Sequence, residues 1–218
     1  MQIINVPVTF GSNPDRQAAR AEELKMACDY LGFQCLEPTA SDFSASRGKG
    51  DDRFKGLEKA DIVSVLSAFK PTAIIVPHSK DWNARHESTH HLVMAALAEM
   101  PNDFSCEVIE TEFWQPMVDS NLMVEADAET LADLLAALSL HAGEVARNPY
   151  HLLLPAWMMD NVRRGGEIVG GQGGAVPDFT FATLYRLSRW EKGELFQWLE
   201  KGRMVGMDDN LKEILQWK

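Results

Sequence analysis

The stretch Ala73-Ile74-Ile75-Val76-Pro77-His78-Ser79-Lys80-Asp81-Trp82-Asn83-Ala84-Arg85-His86-Glu87-Ser88-Thr89-His90-His91 decides how this chain is read. Its first four residues are an apolar run bounded by Pro71 and Pro77, which predicts a short buried strand. After Trp82 the pattern turns helical, with His86, His90, Val93 and Leu97 at i, i+4, i+7 and i+11 on one face. A strand that ends in a polar loop and feeds a helix sets side chains at the carboxyl edge of a sheet, where open α/β folds bind ligands. Four of the six histidines lie here. The stretch reads as half of an active site.

Upstream, Gln2 to Thr9 is strand-like, with a turn at Gly11-Ser12-Asn13-Pro14. A helix from Asp15 to Leu31 follows, stopped by Gly32, then a short strand from Phe33 to Leu36. A polar loop is expected from Thr39 to Asp52, and Ile62 to Leu66 belongs to another helix. Strand and helix in alternation is the rhythm of a parallel sheet covered by helices. Downstream, Cys106 to Trp114 and Leu122 to Val124 read as strands. Glu129 to Arg147 reads as one amphipathic helix, and His151 to Arg164 as a helix interrupted at Pro155. Gly165 to Gly174 reads as a surface loop or a lid over a pocket. Phe179 to Leu187 is compatible with a strand or a helix start, and Trp190 to Leu199 and Asp208 to Trp217 with two closing helices.

Composition narrows the function classes. At 218 residues, 45% hydrophobic and 24% charged, the chain has the profile of an ordinary globular domain. A net charge of −11 argues against a nucleic-acid partner, which calls for a basic face. No run approaches the roughly 20 apolar residues of a membrane span. Cys28, Cys35 and Cys106 lack paired metal-ligand spacing and read as reduced thiols, so a cytoplasmic location is expected.

The chemistry centres on His86. Asp81, Asn83 and His86 set an acid, an amide and an imidazole near the end of a strand, and a neutral imidazole at a helix start suits zinc. His86-Glu87-Ser88-Thr89-His90 also matches His-Glu-x-x-His, the zinc-protease helix, although the helix starts at the motif rather than running through it. The plain alternative is a pair of hydrogen-bonded histidines at a helix N-terminus. Trp82, Trp114 and Trp157 suit either a core or stacking on a sugar ring.

Three ordered blocks resemble the LmbE-like zinc N-deacetylases, relatives of the N-acetylglucosaminyl-phosphatidylinositol de-N-acetylases. They are Val8-Thr9-Phe10-Gly11 with Arg16, Arg20-Ala21-Glu22-Glu23 and Ala27 to Gly32; Asp81 to His86; and Glu112-Phe113-Trp114-Gln115-Pro116 with the helix to His141. The resemblance implies an α/β, Rossmann-like, mostly parallel sheet with helices on both faces. It implies a zinc cofactor and removal of an acetyl group from an N-acetylated sugar or related amide. His86 takes the position of the third zinc ligand, and Arg16, Arg20, Trp82 and Asn83 fall at substrate-binding positions. Asn83 and Arg85 depart from the family's histidine and aspartate. The family's His-Pro-Asp-Asp-Glu, with two zinc ligands and the catalytic aspartate, has no match here. The expectation is therefore one domain over residues 1–218, shortened at its N-terminus and lacking the family's first strand.

A catalytic zinc keeps three protein ligands and an open position. Beyond His86 this chain offers His90 as a weaker candidate ligand, with Asp81 as a supporting carboxylate. A missing central strand would leave an apolar edge and favour self-association into a homo-oligomer. Three functions stay open: a zinc N-deacetylase, a non-catalytic carbohydrate-binding protein gripping a glycan with Trp82, Asn83 and Arg16, and a zinc protease built on His86, Glu87 and His90.

Overall fold

The computed structural model describes residues 1–36, 56–199 and 201–210. Its elements run β1 (Ile4–Asn5), α1 (Pro14–Leu31), β2 (Gln34–Cys35), α2 (Lys59–Phe69), β3 (Ala73–Pro77), α3 (Ala84–Leu97), β4 (Ser105–Thr111), β5 (Leu122–Ala126), α4 (Ala128–Ser139), α5 (Ala142–Val145), α6 (Tyr150–Ile168), β6 (Phe181–Glu191), β7 (Glu194–Gln197) and β8 (Arg203–Val205). The polar loop expected over 39–52 and most of the helix expected over 208–217 lie outside the described residues.

The chain divides into two compact units. One holds Met1–Phe69 and Ala132–Leu154, the other Lys70–Leu131 and Pro155–Lys218. In the first, β1 and β2 pair in parallel through two residues each. Helix α1 begins at Asn13, whose side chain accepts from the Asp15 N–H, and ends at Gly32 in the left-handed conformation. The helix therefore starts and stops where its cap residues stand in the sequence.

The second unit carries a six-stranded sheet in the order β3-β4-β6-β5-β8, with β7 paired to β6. Strands β3, β4, β5 and β8 run in one direction, and β6 runs against its neighbours β4 and β5. The fold is thus α/β, with a mostly parallel sheet flanked by helices. Alternation along the strands separates two faces. Met123, Ala182 and Leu184 are buried on one, against Val162 of α6. Leu122 and Leu187 are buried on the other, with Leu199 and Val205. Strand β3 lies at the edge of the sheet, and its Ile75 is 65% exposed.

Several elements differ from the sequence reading. The segment Trp190 to Leu199, expected to be helical, is instead the end of β6, a tight turn and β7. Lys192 (φ 54°) and Gly193 (φ 79°) both take the left-handed conformation that a two-residue hairpin turn requires. The ambiguous Phe179–Leu187 segment forms strand from Phe181 onward. Gly165 and Gly166 belong to α6 rather than to a loop, and glycine is needed at 165 because a Cβ there would stand 2.5 Å from Met123 Sδ and 2.8 Å from Leu184 Cδ2. The helix expected over Glu129–Arg147 is two, α4 and α5. No disulfide joins Cys28, Cys35 or Cys106. Burial pushes the Cys106 thiol up to about 12, with the Glu107 charge adding to it, so it behaves as a core side chain.

Candidate active site at the carboxyl ends of two parallel strands

Strands β3 and β4 are parallel neighbours, so their carboxyl ends deliver two loops side by side: 78–83 from β3 and 112–121 from β4. The first loop ends in an N-cap, where the Asn83 side chain accepts from the Arg85 N–H and starts α3. Helical spacing then brings His86 back over Asp81, and the two loops meet at that carboxylate.

Asp81 is buried, at 3% exposure, and fully engaged. Its Oδ1 accepts from the Asn83 N–H at 2.8 Å, and its Oδ2 from the Trp114 N–H at 3.0 Å. His86 Nδ1 stands 3.2 Å from the same Oδ2. Burial alone would push this carboxyl up. The two backbone donors and His86 outweigh it and hold the pKa below the usual carboxylate value. An ionised carboxylate only accepts, so His86 Nδ1 carries a proton toward it, and in the neutral ring the lone pair is then on Nε2. Nε2 has no hydrogen-bond partner among the described residues, and the side chain is 23% exposed. The result is an oriented imidazole with an accessible basic nitrogen.

The second loop is pinned along its length. His78 Nε2 donates to the Gln115 carbonyl at 2.8 Å. The Met117 N–H donates to Glu112 Oε1 at 2.6 Å, and Arg164 Nη2 of α6 donates to Glu112 Oε2 at 2.8 Å. On this backbone Phe113 packs against the His86 ring at 4.7 Å between centroids, and Trp114 against Trp82 at 5.6 Å.

His90, one turn beyond His86, is buried and turned elsewhere. Its Nδ1 donates to the Pro77 carbonyl at 3.0 Å and lies 3.5 Å from Glu110 Oε1. Glu110 is itself buried and lies 3.8 Å from Arg186 Nε. Glu87 is half exposed and faces His91 at 3.9 Å. Among the described residues, no three His, Cys, Asp or Glu side chains gather as a metal site. Asp81 supports His86 as a second carboxylate supports a metal-bound histidine, but its oxygens are already occupied by donors.

Arg16 and Arg20 belong to the other unit and are engaged within it. Arg16 Nη2 lies 3.4 Å from Glu23 Oε1, which also accepts from the Gly143 N–H at 3.0 Å. Arg20 donates to the Phe10 carbonyl at 3.0 Å and to Glu144 Oε1 at 3.1 Å. The structure therefore brings Asp81, Trp82, Asn83 and His86 together, and leaves both arginines with partners of their own. Sequence reasoning did not single out Glu110, His78 or Arg164. Two glutamates, Glu107 and Glu110, set among Cys106, Val108 and Ile109 in one strand were the available signal for Glu110. Arg164 had none, because its partner Glu112 is 52 residues away.

No family model and no curated protein matches the chain. Solved structures do. The conserved protein TT1542 from Thermus thermophilus superposes with a TM-score of 0.54 at 14% identity, over 84% of this chain and 80% of that one. GalB, the 4-carboxy-2-hydroxymuconate hydratase from Pseudomonas putida KT2440, superposes at 0.58 and 16% identity, over 85% and 83%. At such identities the likeness shows the fold. No helix among the described residues is long and apolar enough to cross a membrane.

Proposed function

We propose that this chain is a water-activating enzyme of the N-deacetylase type, cleaving the acetamide of an N-acetylated sugar or related amide. The observation that carries the reading is the Asp81–His86 pair, with a buried carboxylate 3.2 Å from an imidazole whose other nitrogen is open. The ordered resemblance to LmbE-like deacetylases supports it. So does the hydratase among the structural neighbours, a protein of this fold that handles water as a reactant.

Amide hydrolysis needs a proton taken from water and a proton given to the leaving nitrogen. His86 Nε2 does the first as the water oxygen bonds to the carbonyl carbon. The same proton passes to nitrogen as the C–N bond breaks, giving a free amine and acetic acid, which then ionises to acetate. Asp81 holds Nδ1–H throughout and stabilises the transient imidazolium. The resemblance implies zinc with His86 as one ligand. The described residues offer that imidazole and its orienting carboxylate but not the three ligands of a catalytic zinc, so no step here is routed through the metal.

The test is acetate release from N-acetylglucosamine by the native chain and by His86→Ala, with zinc per chain measured on the same samples. Release that falls at least about 100-fold in the variant, the usual size of a lost general base, is the expected result. Equal release from both, or none from either with or without added zinc, rejects the reading. The exposed Trp82 and Trp114 favour a second reading, a non-catalytic carbohydrate binder on the same fold. It predicts sugar binding insensitive to chelator and no acetate.

A further inference from the structure

The 112–121 loop ends at a second polar site. Where it runs into β5, Asp119 and Ser120 line a cleft of about 280 Å³ together with Ile168 of α6, Arg186 of β6 and Gln197 of β7. Pockets for drug-sized ligands run from about 300 to 1,000 Å³, so this space suits a small molecule. Asp81, Asn83 and His86 do not border it. Two further wall residues are spent on the fold. The Asn121 side chain bonds both the N–H and the carbonyl of Leu187, and a Cβ on Gly202 would stand 2.0 Å from the Val169 carbonyl oxygen.

The other polar groups keep bonding capacity to spare among the described residues. Asp119 Oδ2 accepts from Arg186 Nη1 at 2.9 Å and from Lys80 Nζ at 3.2 Å, which leaves Oδ1. Arg186 Nε lies 3.8 Å from the buried Glu110, which leaves Nη2. Gln197 donates through Nε2 to the Leu199 carbonyl at 2.8 Å, which leaves Oε1. Ser120 is 4% exposed, and its buried Oγ has no hydrogen-bond partner, an uncommon state for a buried hydroxyl. Asp119 and Glu110 balance Arg186 and Lys80 in charge, so the cleft favours no net ion. It offers a carboxylate and a guanidinium side by side, each with a free bonding position.

We infer that this cleft binds a free α-amino acid. The ammonium meets Asp119 Oδ1 and Gln197 Oε1, the carboxylate meets Arg186 Nη2 and the Ser120 hydroxyl, and an aliphatic side chain lies against Ile168. An α-amino acid carries its two charges on neighbouring atoms of one carbon, and the Asp119–Arg186 pair is just as close, within one hydrogen bond. A dicarboxylate would set like charge against Asp119, and a diamine against Arg186. An ω-amino acid holds its charges too far apart to face both. A neutral polyol forgoes the stronger bonds that ionised groups make with ionised partners.

The test is a titration of the nitrogen-15-labelled chain with L-valine, read from the backbone amides of Ser120, Asn121 and Gln197. A saturable shift is expected, with none from L-valinamide, N-acetyl-L-valine or 4-aminobutyrate, which lack the carboxylate, the ammonium or the spacing. Asp119→Asn is expected to weaken L-valine about tenfold, the size of a hydrogen bond to a charged group, and Ser120→Ala about fivefold, that of a neutral one. Because the Ser120 Oγ has no partner in the fold, Ser120→Ala should leave the urea midpoint unchanged, so its loss of affinity reports the ligand. Unchanged binding by His86→Ala supports a site independent of the catalytic reading. The inference is overturned if L-valine gives no saturable shift at about 10 mM, well above the Kd of even a 1 mM site. It is equally overturned if any of the three analogues binds as tightly, or if Ser120→Ala binds L-valine as the native chain does.

Discussion

A carboxylate enclosed by donors responds to pH unlike one in water, and Asp81 is such a group. Burial works against its charge, yet the N–H groups of Asn83 and Trp114 and the His86 ring leave its folded pKa below the ordinary value. A depressed folded pKa means that the carboxylate stabilises the fold fully above its unfolded pKa of about 3.9. The contribution is lost as pH falls through the folded pKa. Asp81→Asn puts a donor where a backbone N–H already donates, and should cost about 1–3 kcal/mol at pH 7. Urea midpoints of both proteins, followed from pH 7 downward, should converge below about pH 4. No gap at pH 7, or a constant gap across the range, would count against this account. The same residue shows what the sequence could disclose. Asp81, Asn83 and His86 were visible as a group because a short span of loop and helix start brings them together. Glu112 reaches Arg164 only through the sheet and α6, and no local spacing encodes that contact.

At the scale of elements, the reading succeeded where one local signal governed the outcome. Gly32 stops α1 as its position implies, and Pro71 and Pro77 frame β3 closely. It failed where packing overrode composition. Glu191, Lys192, Glu194 and Leu195 look helical by propensity, but the paired left-handed residues Lys192 and Gly193 turn the chain back as a hairpin. The Lys-Gly pair between two apolar runs was the signal to weigh. Gly165 serves by its smallness, since α6 lies directly on Met123 and Leu184 at that point. This yields a test with opposing terms. Alanine gains about 1 kcal/mol of helix propensity over glycine, but an added methyl in a filled core costs about 1–3 kcal/mol. With side chains of the buried sheet at 2.5 and 2.8 Å, overpacking should win. Gly165→Ala is therefore expected to lower stability by about 1 kcal/mol. A rise in the urea midpoint would show that Met123 yields easily and that the helix approach is less close than described.

The molecule as a whole is unevenly secured. The sheet of the first unit is two strands of two residues, joined by the Gln34 N–H to the Ile3 carbonyl and the Leu36 N–H to the Asn5 carbonyl, each at 2.9 Å. A two-stranded sheet is marginal in water by itself. The second unit has β4 and β6 paired over seven positions in mid-sheet, with Val108 and Leu187 fully buried. The Leu187 N–H is further held by the Asn121 side chain at 2.7 Å. Local opening follows such differences, because an amide is released by the smallest unfolding that frees it. Native-state hydrogen exchange should accordingly find the Gln34 and Leu36 amides opening at lower free energy than those of Val108 and Leu187. The first pair should respond weakly to low urea, since little surface is exposed when two short strands part. The second pair should exchange only with global unfolding and carry its full urea dependence. If Gln34 and Leu36 prove as protected as Val108, with the same dependence, then α1 and its neighbours lock β1 and β2 into one cooperative unit with the large sheet. The expected difference in local opening would then fail.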